Sequence, residues 1–196
     1  MLQPKMADGL RPTLIDFVCP TSSAASAALL VVTASLLIAM GAQLKFLIPG
    51  TPVPITGQTL AVLYVGALLG AKRGAAAVAL YLAEGAFGLP FFSGGGAGAA
   101  HLIGPTGGYL VGFLPAAYVT GALAQRGWDR RPITAFAMMF VGSLVLFAFG
   151  LAGLARFFPV EQLPAMGLLP FVPGDLVKCA ASAALLPLGW KLLGRR

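Results

Sequence analysis

Charge is what this sequence has least of. Only 10% of its 196 residues are Asp, Glu, Lys or Arg, against about 25% in soluble globular domains, so a soluble fold of ordinary composition is excluded. Histidine occurs once, as His101, and cysteine twice, as Cys19 and Cys179, with no CxxC and no histidine beside either. No metal-ligand or disulfide framework can be read from them, and both cysteines read as small apolar residues. A GxxxxGK[ST] string is missing, which rules out ATP hydrolysis through a P-loop of the chain's own. HExxH and GxSxG are missing too, leaving the common membrane metalloprotease and serine hydrolase chemistries without their parts. An aspartyl enzyme would need two convergent carboxylates, and the apolar part of the chain offers only Glu84 and Asp175.

What remains is apolar: 58% of residues are hydrophobic and the mean hydropathy is +0.89. A helix needs about 20 largely apolar residues to cross a bilayer, so the length leaves room for roughly six crossings joined by short loops. The chain reads as an all-α integral membrane protein. The charges divide it into six apolar runs, 17–44, 46–71, 74–100 interrupted by Glu84, 102–125, 132–155 and 171–193. Residues 1–23 are expected to form an N-terminal segment, 24–193 one six-helix transmembrane domain, and 194–196 a tail.

Helix limits follow from caps and prolines. The first helix is expected from Ala24 to Ala42, with Pro20-Thr21-Ser22-Ser23 supplying Ser/Thr caps ahead of it. Its apolar part exceeds the roughly 7 to 15 residues of a signal-peptide core, and Asp8 and Asp16 precede it, which makes a secretory leader the weaker reading. The second run opens with Pro49-Gly50-Thr51-Pro52-Val53-Pro54, where each proline removes an amide donor. Its helix is expected to start near Thr56, read as the N-cap, with Gln58 and Thr59 following. The third helix is expected from Gly74 to about Gly88, ahead of the glycine-rich stretch Ser93 to Gly98. The second and third helices are short for spans. The fourth begins after Gly104-Pro105-Thr106 and carries Pro115 as a kink, the fifth begins at Pro132, and the sixth around 170–173. Irregular backbone at membrane depth is tolerated only where protein or water satisfies it, so the loops after the first and third helices are expected to fold inward as a lid or site wall.

The net charge of +7 comes from 13 Lys and Arg against 6 Asp and Glu. Ten of the basic residues (Lys5, Arg11, Lys72, Arg73, Arg126, Arg130, Arg131, Lys191, Arg195, Arg196) fall on one side of a six-span topology, two (Lys45, Arg156) on the other, and Lys178 within the sixth run. Basic residues in short loops mark the cytoplasmic side. Both termini are therefore expected in the cytoplasm, and the positive charge reads as an orientation signal, not as nucleic-acid binding.

A charge at the bilayer centre costs about 2.5 to 3.5 kcal/mol on insertion scales, which makes intramembrane ionisable groups functional candidates. Asp175 and Lys178, three apart at the start of the sixth helix, share one face. They either pair with each other as a helix-capping ion pair or serve a ligand, the carboxylate taking an amide or ureido N–H and the ammonium a carboxylate. Glu84 lies between apolar turns of the third helix as a neutral hydrogen-bonded group, a site wall or a proton carrier. His101 is either a solvated loop residue or part of the site. Gln58 is able to reach the same cavity. Small residues four apart, Gly66 and Gly70, Gly108 and Gly112, Ala24 and Ala28, allow close helix contact in lipid.

Four segments taken together resemble the BioY family, the biotin-binding substrate (S) component of energy-coupling factor (ECF) vitamin transporters. They are Val53-Pro54-Ile55-Thr56-Gly57-Gln58-Thr59, Gly66-Ala67-Leu68-Leu69-Gly70-Ala71-Lys72-Arg73-Gly74, Gly88-Leu89-Pro90-Phe91-Phe92 running to Gly104-Pro105-Thr106-Gly107-Gly108-Tyr109, and Pro173-Gly174-Asp175-Leu176-Val177-Lys178. The resemblance implies a six-helix bundle in the bacterial cytoplasmic membrane with a biotin pocket in its outer half, closed by the loops after the first and third helices. It implies a transmembrane coupling protein and two cytoplasmic ATPases as partners, although some members are thought to act alone. ATP would enter only through those partners, and no cofactor or metal of the chain's own is implied. Asp175 and Lys178 match the family's helix start, and Tyr109, Phe91 and Phe92 would pack on the ligand. Ala24 and Ala28 would meet the coupling protein, with Ala27 and Ala34 offering a second register. Some members place an asparagine after the third helix, where this chain has Phe92-Ser93-Gly94; Ser93, or the backbone of Gly94 to Gly96, would take its place.

Overall fold

Residues 10–19 and 23–194 are described in the computed structural model of the chain. Lys5, Asp8, Pro20, Thr21, Ser22, Arg195 and Arg196, used in the readings above, lie outside the described residues. The elements in order are α1 (Leu14–Val18), α2 (Ala24–Gln43), the paired strands β1 (Lys45–Phe46) and β2 (Ile55–Thr56), α3 (Gln58–Leu69), α4 (Ala71–Ala86), α5 (Ala100–Ile103), α6 (Gly107–Ala124), α7 (Pro132–Leu154), α8 (Leu163–Gly167) and α9 (Val172–Leu193). Among the described residues, four helices, α2, α6, α7 and α9, are long and apolar enough to cross a membrane. With 12 and 16 residues, α3 and α4 rise about 18 and 24 Å, less than a hydrocarbon core of about 30 Å.

Helix starts are set locally. Ser23 caps α2, its hydroxyl accepting from the Ser26 amide at 3.2 Å, and Pro132 opens α7 at a position that has no amide to lose. Pro115 lies inside α6, which runs from Gly107 to Ala124 around it. Two expectations are corrected. The N-cap of α3 is Gly57, pressed against Gly41, and not Thr56. Thr56 instead sits one residue earlier and accepts the Gln58 amide on its hydroxyl at 3.3 Å. The third helix starts at Ala71, not Gly74, because Gly70 alone turns the chain: its φ of +83° is a conformation that side chains rarely adopt. Lys72 and Arg73 therefore belong to the first turn of α4, not to a loop, and Arg73 folds back to donate to the Leu69 carbonyl at 2.9 Å.

Packing is built on small residues. Helix α6 is the hub, lying against α3, α4 and α7, while α9 packs on α7 and α2 on α3 and α4. Gly108 of α6 meets Gly153 of α7 so closely that a Cβ on Gly108 would lie 2.7 Å from the Gly153 Cα. Such close approach is how apolar helices gain van der Waals contact in lipid. The core between them holds Val62, Val78, Tyr81, Ala116, Met138 and Leu146, all nearly or fully buried. Leu29, Met40, Ile133, Val177 and Leu192 point outward, which suits a lipid-facing surface.

The basic residues Arg11, Lys72, Arg73, Arg126, Arg130, Arg131 and Lys191 gather at one end of the bundle, called the basic end below. Residues of the N-terminal segment fold back onto that end. Thr13 and Leu14 are buried there, Asp16 pairs with Arg73 at 2.7 Å, and the Arg11 amide donates to the Gln125 carbonyl at 2.9 Å. The loop 44–57, which contains the β1–β2 pair, and the loop 87–99 cover the opposite end.

Candidate functional site

That opposite end holds a partly open cavity lined mostly by apolar side chains with a few polar groups among them, the usual make-up of a small-molecule site. Both loops expected to fold inward do so: Val53 to Thr56 form one wall and Phe92 and Ser93 another, joined by His101 of α5. Tyr109, Leu110 and Phe113 of α6 with Leu146 and Phe147 of α7 supply apolar surface, and Asp175 and Lys178 complete the lining from α9.

Asp175 and Lys178 share a helix face without forming an ion pair. Ser143 of α7 donates its hydroxyl to Asp175 Oδ1 at 2.9 Å, and Cys179 Sγ lies 3.9 Å from Oδ2. Lys178 Nζ donates to the Thr59 hydroxyl at 2.7 Å and to the Thr56 carbonyl at 3.2 Å. Among the described residues the direct ion pairs are Asp16 with Arg73 and Asp129 with Arg130, both at the basic end. Neutral partners orient these two charges without cancelling them.

The other lining groups divide by whether the protein already uses them. The Tyr109 hydroxyl donates to the Gly167 carbonyl at 2.6 Å, so this residue offers the cavity its ring. Gln58 is buried, with Oε1 accepting from the Thr56 hydroxyl at 3.1 Å and Nε2 donating to the Tyr81 hydroxyl. Ser93 Oγ and His101 Nδ1 are buried with no protein partner among the described residues. Buried polar atoms are normally satisfied, so these two are hydrogen-bonding capacity left over for something in the cavity. Phe92 is 1% exposed and lies edge-on to Tyr81, with ring centroids 5.7 Å apart. It fits only because Gly85 lacks a Cβ, which would collide with its ring.

Asp175, Lys178, Tyr109, Ser93, Gln58, Phe92 and His101 thus come together around one cavity. Glu84 is not part of that lining, and its Oε2 is buried without a partner among the described residues. Nor does Phe91 border the space; its carbonyl accepts from Tyr81 at 3.2 Å. Ala24 and Ala28 lie exposed on α2, whereas Ala34 is buried, so the register through Ala34 points into the bundle. Ser143 and Tyr81 escape a reading from sequence. The only signal for Ser143 is a hydroxyl in the middle of a 23-residue apolar helix.

Fold and site define a multi-pass membrane protein that holds a small, partly apolar ligand at one end of a helical bundle. The chain belongs to the BioY family, whose model matches residues 15–195. Its relatives include the biotin transporter BioY of Rhizobium etli, 38% identical over 83% of this chain and 93% of the relative. That of Thermotoga maritima is 39% identical over 80% of this chain and 90% of its own length. The probable biotin transporter BioY of Pyrococcus horikoshii is 36% identical over 76% and 86%. Among solved structures, the S-component for biotin from an ECF-type ABC transporter matches with a TM-score of 0.74 at 25% identity, covering 85% of this chain and 92% of that one.

Proposed function

We propose that the chain is a biotin transporter subunit, not an enzyme. It captures biotin with high affinity at the cavity end and carries it across the bacterial cytoplasmic membrane as the S component of an ECF-type transporter. One observation carries this reading: a carboxylate and an ammonium on one helix border one apolar cavity, each hydrogen-bonded to neutral neighbours and not joined to the other in a direct ion pair. Biotin presents two ureido N–H donors, a carbonyl acceptor, a sulfur-containing ring, a four-carbon chain and a carboxylate. Asp175 accepts a ureido N–H, Lys178 neutralises the carboxylate, and Tyr109, Phe92 and Phe113 pack on rings and chain. Ser93 and His101 supply the remaining hydrogen bonds.

In this reading all six long helices, including the shorter α3 and α4, cross the membrane, with the basic end and both termini cytoplasmic, as expected where Lys and Arg cluster in short loops. Residues 24–193 form the single biotin-binding domain, flanked by a cytoplasmic segment 1–23 and the tail 194–196. The exposed Ala24 and Ala28 on α2 face a transmembrane coupling protein, and two cytoplasmic ATPases supply the energy, so the chain itself needs no cofactor or metal. Uptake of biotin by cells expressing the chain with and without a coupling protein separates partnered from solitary transport.

The binding assignment is tested with Lys178→Met and radiolabelled biotin. A tenfold or greater loss for biotin is expected, with little change for its methyl ester, since a hydrogen bond to a charged group is worth about 1.5 to 3 kcal/mol. Equal affinities of the variant and the wild type for biotin would remove Lys178 from the carboxylate role.

A further inference from the structure

Tyr81 of α4 has no exposed surface and does not border the cavity, yet its hydroxyl joins Gln58, at the start of α3, to Phe91 in the loop 87–99. Its O–H donates to the Phe91 carbonyl at 3.2 Å. A carbonyl only accepts, so the single phenolic proton is committed there and the phenolic oxygen must act as acceptor toward Gln58. Gln58 therefore turns its NH2 side to Tyr81. Its Oε1 faces the other way and takes the Thr56 hydroxyl. Reversing the amide would draw the Tyr81 proton to Gln58 and cost the bond to the Phe91 carbonyl. Nε2 spends one N–H on Tyr81 and keeps a second, which Gln58, as a lining residue, has to offer the cavity. The bonds run in one direction, from Thr56 in the loop 44–57 through Gln58 and Tyr81 to Phe91 in the loop 87–99. The Tyr81 ring also backs Phe92, the apolar wall residue.

We propose that Tyr81 is a positioning residue for the ligand: its hydroxyl fixes Gln58 as a hydrogen-bond donor toward the cavity and fastens the two loops to each other, so that they loosen together. This rests on the biotin-binding reading, in which the Gln58 N–H meets an oxygen acceptor of the ligand while Asp175 meets a donor.

Tyr81→Phe keeps the ring against Phe92 and removes only the hydroxyl. In the ligand-free full chain, hydrogen exchange is expected to rise in both the 45–57 and 89–98 segments and to stay unchanged in α6 and α7. Radiolabelled biotin is expected to dissociate roughly five- to tenfold faster, the change given by losing the one Gln58 hydrogen bond to the ligand, about 1 kcal/mol, with its association rate unchanged. Gln58→Met cuts the same relay from the other side and carries the exchange test alone if Tyr81→Phe fails to fold. The double variant should release biotin no faster than the worse single variant, as expected for residues acting in one network. Faster exchange in only one loop, wild-type dissociation in Tyr81→Phe, or additive effects of the two substitutions would overturn the proposal. The exchange measurement needs no ligand, so a wild-type protein that fails to bind biotin would refute the functional reading and leave the loop coupling to be judged separately.

Discussion

Trp190 donates its indole N–H to Asp129 Oδ2 at 2.6 Å, and the Arg130 guanidinium lies over the same indole, 4.3 Å from the ring. The last turn of α9 is thereby fastened to the turn between α6 and α7. Phe17 of α1 packs edge-on against the same tryptophan, with centroids 5.3 Å apart, so three stretches distant in sequence meet at the basic end around one tryptophan.

This cluster gives the stability a pH dependence of unusual sign for an aspartate. Burial pushes the Asp129 carboxyl up to about 6, against the opposing pull of the Trp190 hydrogen bond and the nearby Arg130 charge. From about pH 4 to 6 the folded protein keeps a proton that the unfolded chain has released. The stability contributed by that proton is complete below about pH 4 and is lost as pH rises through 6. Asp129→Asn retains an acceptor for Trp190 and removes the titration. Thermal unfolding at pH 4.5 and 7.5 should therefore show a variant gaining relative to the wild type at the higher pH; parallel curves would count against an elevated Asp129.

At the cavity, Ser143→Ala is expected to weaken biotin binding roughly fivefold, because the Asp175 carboxylate loses the hydroxyl that orients it. Asp175→Asn should cost more, about 1.5 to 3 kcal/mol, because the amide that replaces the carboxylate accepts a ureido N–H without the charge. Equilibrium binding of radiolabelled biotin checks both. Wild-type affinity in Asp175→Asn would reduce Asp175 to a residue that stabilises the start of α9.

Gly85→Ala should displace Phe92, whose ring occupies the space the new methyl needs. Overpacking of this kind costs about 1 to 3 kcal/mol, and here the strain falls on a wall of the site. Biotin affinity is expected to fall by on the order of tenfold while the unfolding temperature drops by only a few degrees. A variant with lower stability and unchanged affinity would show that the Phe92 wall does not shape the site.

Gly153→Leu would drive α7 away from Gly108 of α6 at their closest approach. A loss of stability of about 1 to 3 kcal/mol or more is expected. An unchanged unfolding temperature in detergent would show that this contact is not tight in the folded bundle.

Much of this architecture can be read from charge and punctuation. Runs between charges locate the helices, Ser23 and Pro132 mark starts that the fold keeps, and the proline-rich and glycine-rich loops do cover the cavity. The start of α4 is misread because Lys72 and Arg73 look like a loop, whereas one glycine with positive φ makes the turn and both cations ride on the helix. Asp175 and Lys178 stand out because charge is expensive in lipid. That same argument singles out Glu84, which the fold leaves outside the lining. Ser143 and Tyr81 have the opposite history: nothing local distinguishes them, and their roles come from α7 and α4 packing beside residues far away in sequence. Cost marks a residue as unusual, but only tertiary packing decides which unusual residues meet.

The single-residue turn at Gly70 gives the cavity a mechanical layout. One wall segment is attached to the first residue of α3 and the other follows the last residue of α4. The two helices are the prongs of a fork, and its base is held at the basic end, where the Ala71 amide donates to Gln125 Oε1 at 3.2 Å. With no spare chain in that base, the two prongs share one anchor point. Both walls of the cavity thus trace back to a single fixed point at the far face of the bundle.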